Sequence, residues 1–515
     1  MRGTGTWVMT TAPAHLSGRL DEPTCLTDVL RRRAPEDVLL VTADGTGLTA
    51  QQCLDRSTEL AARLRAAGIG AGDRVATFQA LSAEALLTWW ALDRLGAVYL
   101  PLNPTWSERL ARRVVLDRGP VAVLAEQPWL DLARRAAADT PTAAREAEPL
   151  TTGLATADGQ APHDLPEHVR GPLEDCCIVH NSGLPGIHHG VRTSLRSLLT
   201  QSSAMAAAHP DARVLVGASP CFAGVLLTVL GAVGARGSAA LLPGLTREDF
   251  WPAVRRTGVT FAALLNPTTA DLLAEPARPG DADSPLTLVA ASSANEDVNR
   301  AALQRFGFHW TSGMAKTEVC GAVSTDLDPG PEQGMGRVRE PFVGRIVDPV
   351  SGEEVAAGTT GELVLRCQVE GGLPAGYADD PAASAQLWRG GWLHTGWRVR
   401  QDAAGWLHAD GELSVHPIVV KRAGYLFVDD LEAEIVGVGA GVTAARVATA
   451  PGAGPLDDPL VVAWVTGAVE RDELVASLRA GLPAHLVPDH VVPVDALPAH
   501  PDAGARPADA WPTAP

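Results

Sequence analysis

Hydrophobic positions along the chain fall into two alternating rhythms. Short apolar runs of strand length are separated by longer stretches in which apolar residues recur every three or four positions. This is the pattern of strands and amphipathic helices in an α/β architecture. In "LTAQQCLDRSTELAARLRAAGI", Cys53, Leu54, Leu60, Ala61, Leu64 and Ala67 share one helical face, and "GDRVATFQA" follows as a strand. "AEALLTWWALDRLGAVYLPLNP" repeats the order, with a helix and then a strand over Ala97 to Leu102. Residues 138 to 170 are rich in Ala, Thr, Pro and acidic groups without period, and predict a surface connection. "GELVLRC" at Gly361 and "GWLHAD" at Gly405 predict short strands of a β-rich subdomain. From about Gly411 the pattern restarts with its own strands and the helix "ERDELVASLRAGL". That restart predicts a small C-terminal domain over 411–515 behind a larger one over 1–410. No internal repeat is visible.

Val214 to Ala235 carries no charge over a length able to span a bilayer. Gly217, Pro220, Gly224, Gly231 and Gly234 interrupt it, so the expected elements are a strand, a turn and a buried helix, away from any membrane.

Composition narrows the function. The 515 residues exceed the usual limit of a single core, in keeping with two or more domains. A net charge of −18 describes a surface that repels a phosphate backbone, which argues against nucleic-acid binding. The seven cysteines, Cys25, Cys53, Cys176, Cys177, Cys221, Cys320 and Cys367, are scattered without a CxxC pair. They fit reduced thiols in a cytoplasmic protein. The N-terminal "MRGTGTWVMTTAPAHL" has no apolar core of signal-peptide length. Lysine occurs only at Lys316 and Lys421.

The candidate chemistry begins at "CIVHNSGLPGIHHGVRTS", Cys177 to Ser194, a glycine-rich segment between an apolar run and a predicted helix. Its glycines let backbone amides approach an anion, but it has no lysine. Two other chemistries are weak here. Adjacent His188 and His189 point apart and have no accompanying ligands for a metal, and as loop histidines they are expected to be solvated. Ser182 lacks the GxSxG elbow of a hydrolase nucleophile, since His180 stands where the first glycine would be.

Further motifs follow in order: "GDRVATFQALSAEALLTWWALDRLGAVYLPLNPTWSE" before this segment, then "TSGMAKTEVCG", "GELVLRC", "GGWLHTGW", "VVKRAGYLFVDDLEAEIV" and "LPAHLVPDHVVPVDALP" after it. From about Leu48 to Pro498 the chain resembles acyl-CoA synthetases of the adenylate-forming superfamily. The resemblance implies a large N-terminal domain of two α/β sheet subdomains plus a β-rich one, and a small mobile α+β domain hinged near Gly411. It also implies two half-reactions. ATP and a carboxylate give an acyl-adenylate, and a coenzyme A thiol then displaces AMP.

Groups expected for the first half-reaction are missing. Where the family reads YTSGTTGxPKGV, this chain keeps Ser182, Gly183 and Gly186 but has Leu184, Pro185 and His189 in place of hydroxyls and a lysine. Trp397 stands where the family's GWxxTGD aspartate holds both ribose hydroxyls, and an indole accepts neither hydrogen. Glu412 replaces the arginine of GR, and Ala505 the lysine of LPxTxxGK, with Arg506 adjacent but out of register. One missing donor to developing charge costs on the order of 10²–10³ in rate.

Groups matched to the second half-reaction are retained. The resemblance places Thr317 at the α-phosphate, Glu318 at a metal and Lys316 beside the AMP phosphate. Around the adenylate it gathers Ser293, Ala294 and Asn295, then Ser312, Gly313 and Met314, with Trp397. Ala315 and Lys316 are two extra residues that shift the approach from Gly313. Lys421, Arg422, Gly424 and Tyr425 match the loop that forms the pantetheine tunnel, where Gly424 leaves room for the thiol arm. Phe222, Val225 and Leu226 match the acyl pocket or equally belong to the core.

The expected activity is thioester formation from a preformed acyl-adenylate, supplied by a partner enzyme, with coenzyme A as co-substrate and ATP unused. The need for magnesium at Glu318 stays open. Two alternatives remain: a complete ATP-dependent synthetase with substituted groups, and a non-catalytic binding protein of the same fold.

Overall fold

The computed structural model describes residues 25–138, 140–146, 167–181, 189–206, 210–264, 266–291, 296–412, 418–421, 424–438, 441–450, 460–482 and 484–498. The chain divides into two compact units. One is built from Met1–Pro104, Ala111–Asn181 and Gly190–Gly411, and the other from Glu412–Pro515 together with Thr105–Leu110 and Ser182–His189.

The first unit holds two seven-stranded sheets. One runs in the order His309–Thr311, Leu288–Ala290, Phe261–Ala263, Arg213–Val216, Ser238–Leu241, Val38–Val41, Gly47–Thr49. The other runs Gly376–Tyr377, Gly190–Ser194, Asp175–His180, Val98–Pro101, Arg74–Phe78, Ala122–Ala125, Ala143–Glu146. Most pairs in both are parallel, with antiparallel partners at one end of each. A five-stranded antiparallel sheet, built on Phe342–Val347, Gly361–Cys367 and Trp392–Gln401, makes the β-rich part.

Local sequence accounts for the helices between the strands. Ala50–Ala66 starts at Thr49, whose hydroxyl accepts from the Gln52 amide while the Gln52 side chain accepts from the Thr49 amide. That reciprocal box satisfies two otherwise orphaned donors. Cys53, Leu60, Ala61 and Leu64 form its buried stripe, while Leu54 and Ala67 are half-buried. Ala83–Arg94, capped by Ser82, is buried along nearly its whole length, including Trp89 and Trp90. An almost uniformly apolar helix needs such an enclosed place. The uncharged stretch resolves into the strand Arg213–Val216 and the helix Ala223–Gly234, and among the described residues no helix is long and apolar enough to cross a membrane.

The connection expected over 138 to 170 is corrected at both ends. Ala143–Glu146 adds a parallel strand beside Ala122–Ala125. Arg170 is buried, its Nε donating to Asp93 Oδ1 at 2.8 Å while the guanidinium also reaches the carbonyls of Ala97 and Asp175. Asp93 Oδ2 in turn accepts from the Leu26 amide at 2.5 Å. An arginine whose donors are consumed by a carboxylate and strand-end carbonyls can sit inside, and no periodicity announces it.

The second unit has its own core. The strands Val442–Ala450, Leu460–Gly467 and His490–Pro493 pack with the helices Val428–Val438 and Arg471–Gly481 through Leu431, Ile435, Val447, Val461, Leu474 and Leu478.

Candidate active site

The motif "TSGMAKTEVCG" forms a β-hairpin. Gly313–Ala315 pairs antiparallel with Cys320–Ser324, with a register shift after Met314 that sets two more residues, Gly321 and Ala322, on the returning strand. The turn is closed by paired backbone bonds between Lys316 and Val319, which leaves Thr317 and Glu318 at its tip. Gly313 is obligatory, because a Cβ there would lie 2.5 Å from the Val323 carbonyl oxygen. Ser312 is buried beside it, and its amide donates to Thr325 Oγ1 at 2.9 Å.

Glu318 is 7 % exposed. Its Oε1 accepts from Asn181 Nδ2 at 2.5 Å and from the Tyr377 hydroxyl at 2.8 Å. Asn181 directly follows the strand Asp175–His180, and Tyr377 lies in the short strand Gly376–Tyr377 that pairs with Gly190–Ser194. The carboxylate is thus oriented by both sides of one sheet edge. Burial pushes the Tyr377 phenol well above its usual range, and the charge of Glu318 adds to the shift. The tyrosine therefore stays a neutral donor. Neither Asn181 nor Tyr377 was anticipated from sequence; the only signals were the place of Asn181 in the glycine-rich segment and the rarity of tyrosine, three in the chain.

Lys316 and Trp397 meet. The Lys316 ammonium lies over the Trp397 ring, 5.5 Å from its centroid. Trp397 is 7 % exposed and packs with Met314, Val319 and Leu393. Beside the phosphate contact that the resemblance expects of Lys316, its ammonium makes this aromatic one, an attraction of about 0.5–2 kcal/mol. The turn that carries Trp397 is braced by groups absent from the expected set. Glu362 Oε1 accepts from the Gly396 amide at 3.0 Å, and Glu362 Oε2 faces His394 Nδ1 at 2.8 Å. Thr395 Oγ1 donates to the Leu363 carbonyl at 2.7 Å and accepts from the Trp397 amide. Gly396, at φ +72°, takes a conformation other residues disfavour.

Several expected contacts are otherwise. Met314, expected at the adenylate, is 5 % exposed and points into the β-rich core, because alternate strand residues face opposite sides. Leu226 is 0 % exposed and Val225 is buried beside it in the main core, so Leu226 lines no accessible space. Phe222, the residue before that helix, is partly buried against the same core. His189 is buried, not solvated. Thr317 is half-buried.

In the second unit, Lys421 pairs with Gly424 and Val420 with Tyr425 in a two-stranded ladder. Glu412 ends the strand Leu407–Glu412. Ser182, Gly183, Leu184, Pro185, Gly186, His188, Ser293, Ala294, Asn295, Arg422, Ala505 and Arg506 lie outside the described residues.

One grouping among the described residues has metal-ligand spacing: Cys25, Asp28 and Glu167. Both its acids are already engaged, since Glu167 binds Arg31, Arg94 and Thr27, and Asp28 binds Arg31. Burial also raises the Cys25 thiol to about 11, so it is a poor ligand.

The chain is 29 % identical to a feruloyl-CoA synthase of Amycolatopsis over 486 residues, 91 % of this chain and 94 % of that protein. It is 34 % identical to a medium/long-chain fatty acid–CoA ligase of Mycobacterium marinum over 238 residues, which spans 46 % of that protein. Among solved structures, o-succinylbenzoate CoA synthetase of Bacillus subtilis, bound with a product analogue, superposes with a TM-score of 0.79 at 17 % identity, covering 93 % of this chain and 96 % of that one. An amide bond synthetase of Marinactinospora thermotolerans gives 0.77 at 22 % identity, over 93 % of this chain and 97 % of that one. At these identities the superpositions speak for the fold alone. The family described as AMP-binding enzyme matches residues 28–377, well over half of the sequence, and this protein belongs to that family.

Proposed function

We propose that this AMP-binding enzyme is an acyl-CoA ligase that works on a preformed acyl-adenylate. The coenzyme A sulfur attacks the acyl carbonyl carbon, the bond from that carbon to the phosphate oxygen breaks, AMP leaves, and the thiol proton passes to solvent. Because the mixed anhydride is already activated, the reaction needs orientation of the thiol more than a grip on a triphosphate. A separate adenylating enzyme of the cytoplasm supplies the substrate.

The observation that carries this reading is the buried Trp397 with Lys316 on its ring. It stands where the resemblance calls for a carboxylate on the nucleotide, and it agrees with the missing loop hydroxyls and lysines at Leu184, Pro185, His189 and Ala505. In this reading Thr317 and Glu318 orient the adenylate phosphate region, and Gly424 and Tyr425 guide the pantetheine arm. Glu318, whose Oε1 is held by Asn181 and Tyr377, serves as an orienting group.

The end-to-end likeness to feruloyl-CoA synthase favours a second reading, a complete ATP-dependent ligase. Calorimetric titration separates the two. The first predicts that an acyl-sulfamoyl adenosine binds while ATP with magnesium gives no saturable binding; saturable binding of ATP with magnesium would favour the second.

A further inference from the structure

The geometry points to a nucleotide site that is indifferent to the ribose hydroxyls, so that 2′-deoxy and 3′-deoxy adenylates are held as well as the ribo form. This rests on the acyl-adenylate reading above and extends it to which part of the nucleotide is recognised.

A hydroxyl that leaves water for a protein surface needs an acceptor for its hydrogen, and a vicinal diol needs two. The turn at Thr395 to Trp397 supplies none from its side chains. The Trp397 indole has a single donor and the Lys316 ammonium only donors. The ammonium is fixed over this turn, 5.5 Å from the indole centroid and 3.5 Å from where a Cβ on Gly396 would sit. Glu362, the acid that binds this turn, is directed inward. Its Oε1 takes the Gly396 amide, while its Oε2 faces His394 and Arg389. Its side chain is 3 % exposed. Thr395 Oγ1 is spent on the Leu363 carbonyl and the Trp397 amide, and Thr395 is buried. Affinity must then come from the base and the phosphate. Lys316 and Trp397 form one specificity-determining pair, in which the indole holds the cation in place and both together exclude a diol-reading carboxylate.

A hydrogen bond to a charged group is worth roughly 10- to 150-fold in binding. An enzyme that reads the diol with a carboxylate discriminates by at least that, and this one is expected not to.

The test is calorimetric titration of the full-length enzyme with AMP, 2′-deoxy-AMP and 3′-deoxy-AMP. Dissociation constants within about threefold of one another are expected. Trp397→Phe, which keeps a ring in the core, is expected to retain this parity, and Trp397→Asp to create a preference for AMP of about tenfold or more. A wild-type preference of tenfold or more in either direction, or no binding of any of the three, overturns the inference. The readout needs no turnover. Parity without acyl-CoA formation from acyl-adenylates would therefore sink the ligase reading and leave this one standing.

Discussion

Glu318 carries a charge into a nearly closed position and meets two neutral donors there, Asn181 and Tyr377. Removing one of them leaves the carboxylate under-satisfied, which costs about 1–3 kcal/mol. Tyr377→Phe is therefore expected to lower stability by that amount in a denaturant titration. In a double-mutant cycle with Glu318→Ala, a coupling of about 0.5–3 kcal/mol is expected, and additive effects would show that the hydrogen bond carries no energy. Thr317 and Glu318 were legible because a local motif carries them. Their partners were not, because Glu318 meets Asn181 across 137 residues and Tyr377 across 59. No window of local pattern reports a contact that only the finished sheet creates. Trp397 shows the opposite case. Its chemistry, the lack of an acceptor, was readable from residue type, but its partnership with Lys316 was not.

Elements with a full period of side chains were readable, and short ones were not. Ala50–Ala66 and Ala83–Arg94 announce themselves through apolar spacing and their Thr49 and Ser82 caps. Ala143–Glu146 and Gly376–Tyr377 are an edge strand of four residues and one of two. Neither is long enough to show an alternation of period two. Met314 was misassigned for a related reason. Its motif places it near the ligand, but the pleat of Gly313–Ala315 decides which way it points. The hairpin also gives a prediction of its own. Gly313→Ala forces a Cβ against the Val323 carbonyl, so the strands must separate. The expected cost is about 1–3 kcal/mol, with a loss of thioester formation larger than the loss of stability, because the turn bearing Thr317 and Glu318 moves with the strand. Wild-type turnover in a Gly313→Ala protein would show that the hairpin does not set the site.

Across the whole molecule, the charge balance has a consequence for stability. Hydrogen bonds from Arg305 hold the Asp281 carboxyl below its ordinary range, and Arg236 does the same for Asp211. At Glu167 burial works in the other direction, but hydrogen bonds from Arg31 and Thr27 outweigh it and the net shift is downward. A carboxylate whose folded pKa is depressed binds fewer protons folded than unfolded, so its contribution is present above the unfolded value and is lost as pH falls through the folded one. The urea midpoint is expected to be level above about pH 5 and to fall steadily below about pH 4. A midpoint that rose on acidification would contradict these assignments.

The central claim concerns which half of the chemistry this fold performs, and one measurement addresses it directly. Purified protein is mixed with coenzyme A and a panel of synthetic acyl-adenylates, and in parallel with the matching free acids plus ATP and magnesium, and acyl-CoA is quantified by mass spectrometry. The account predicts acyl-CoA from the adenylates and none above background from the acids. Acyl-CoA from acid and ATP at a comparable rate would contradict it and establish a complete ligase despite Trp397, His189 and Ala505.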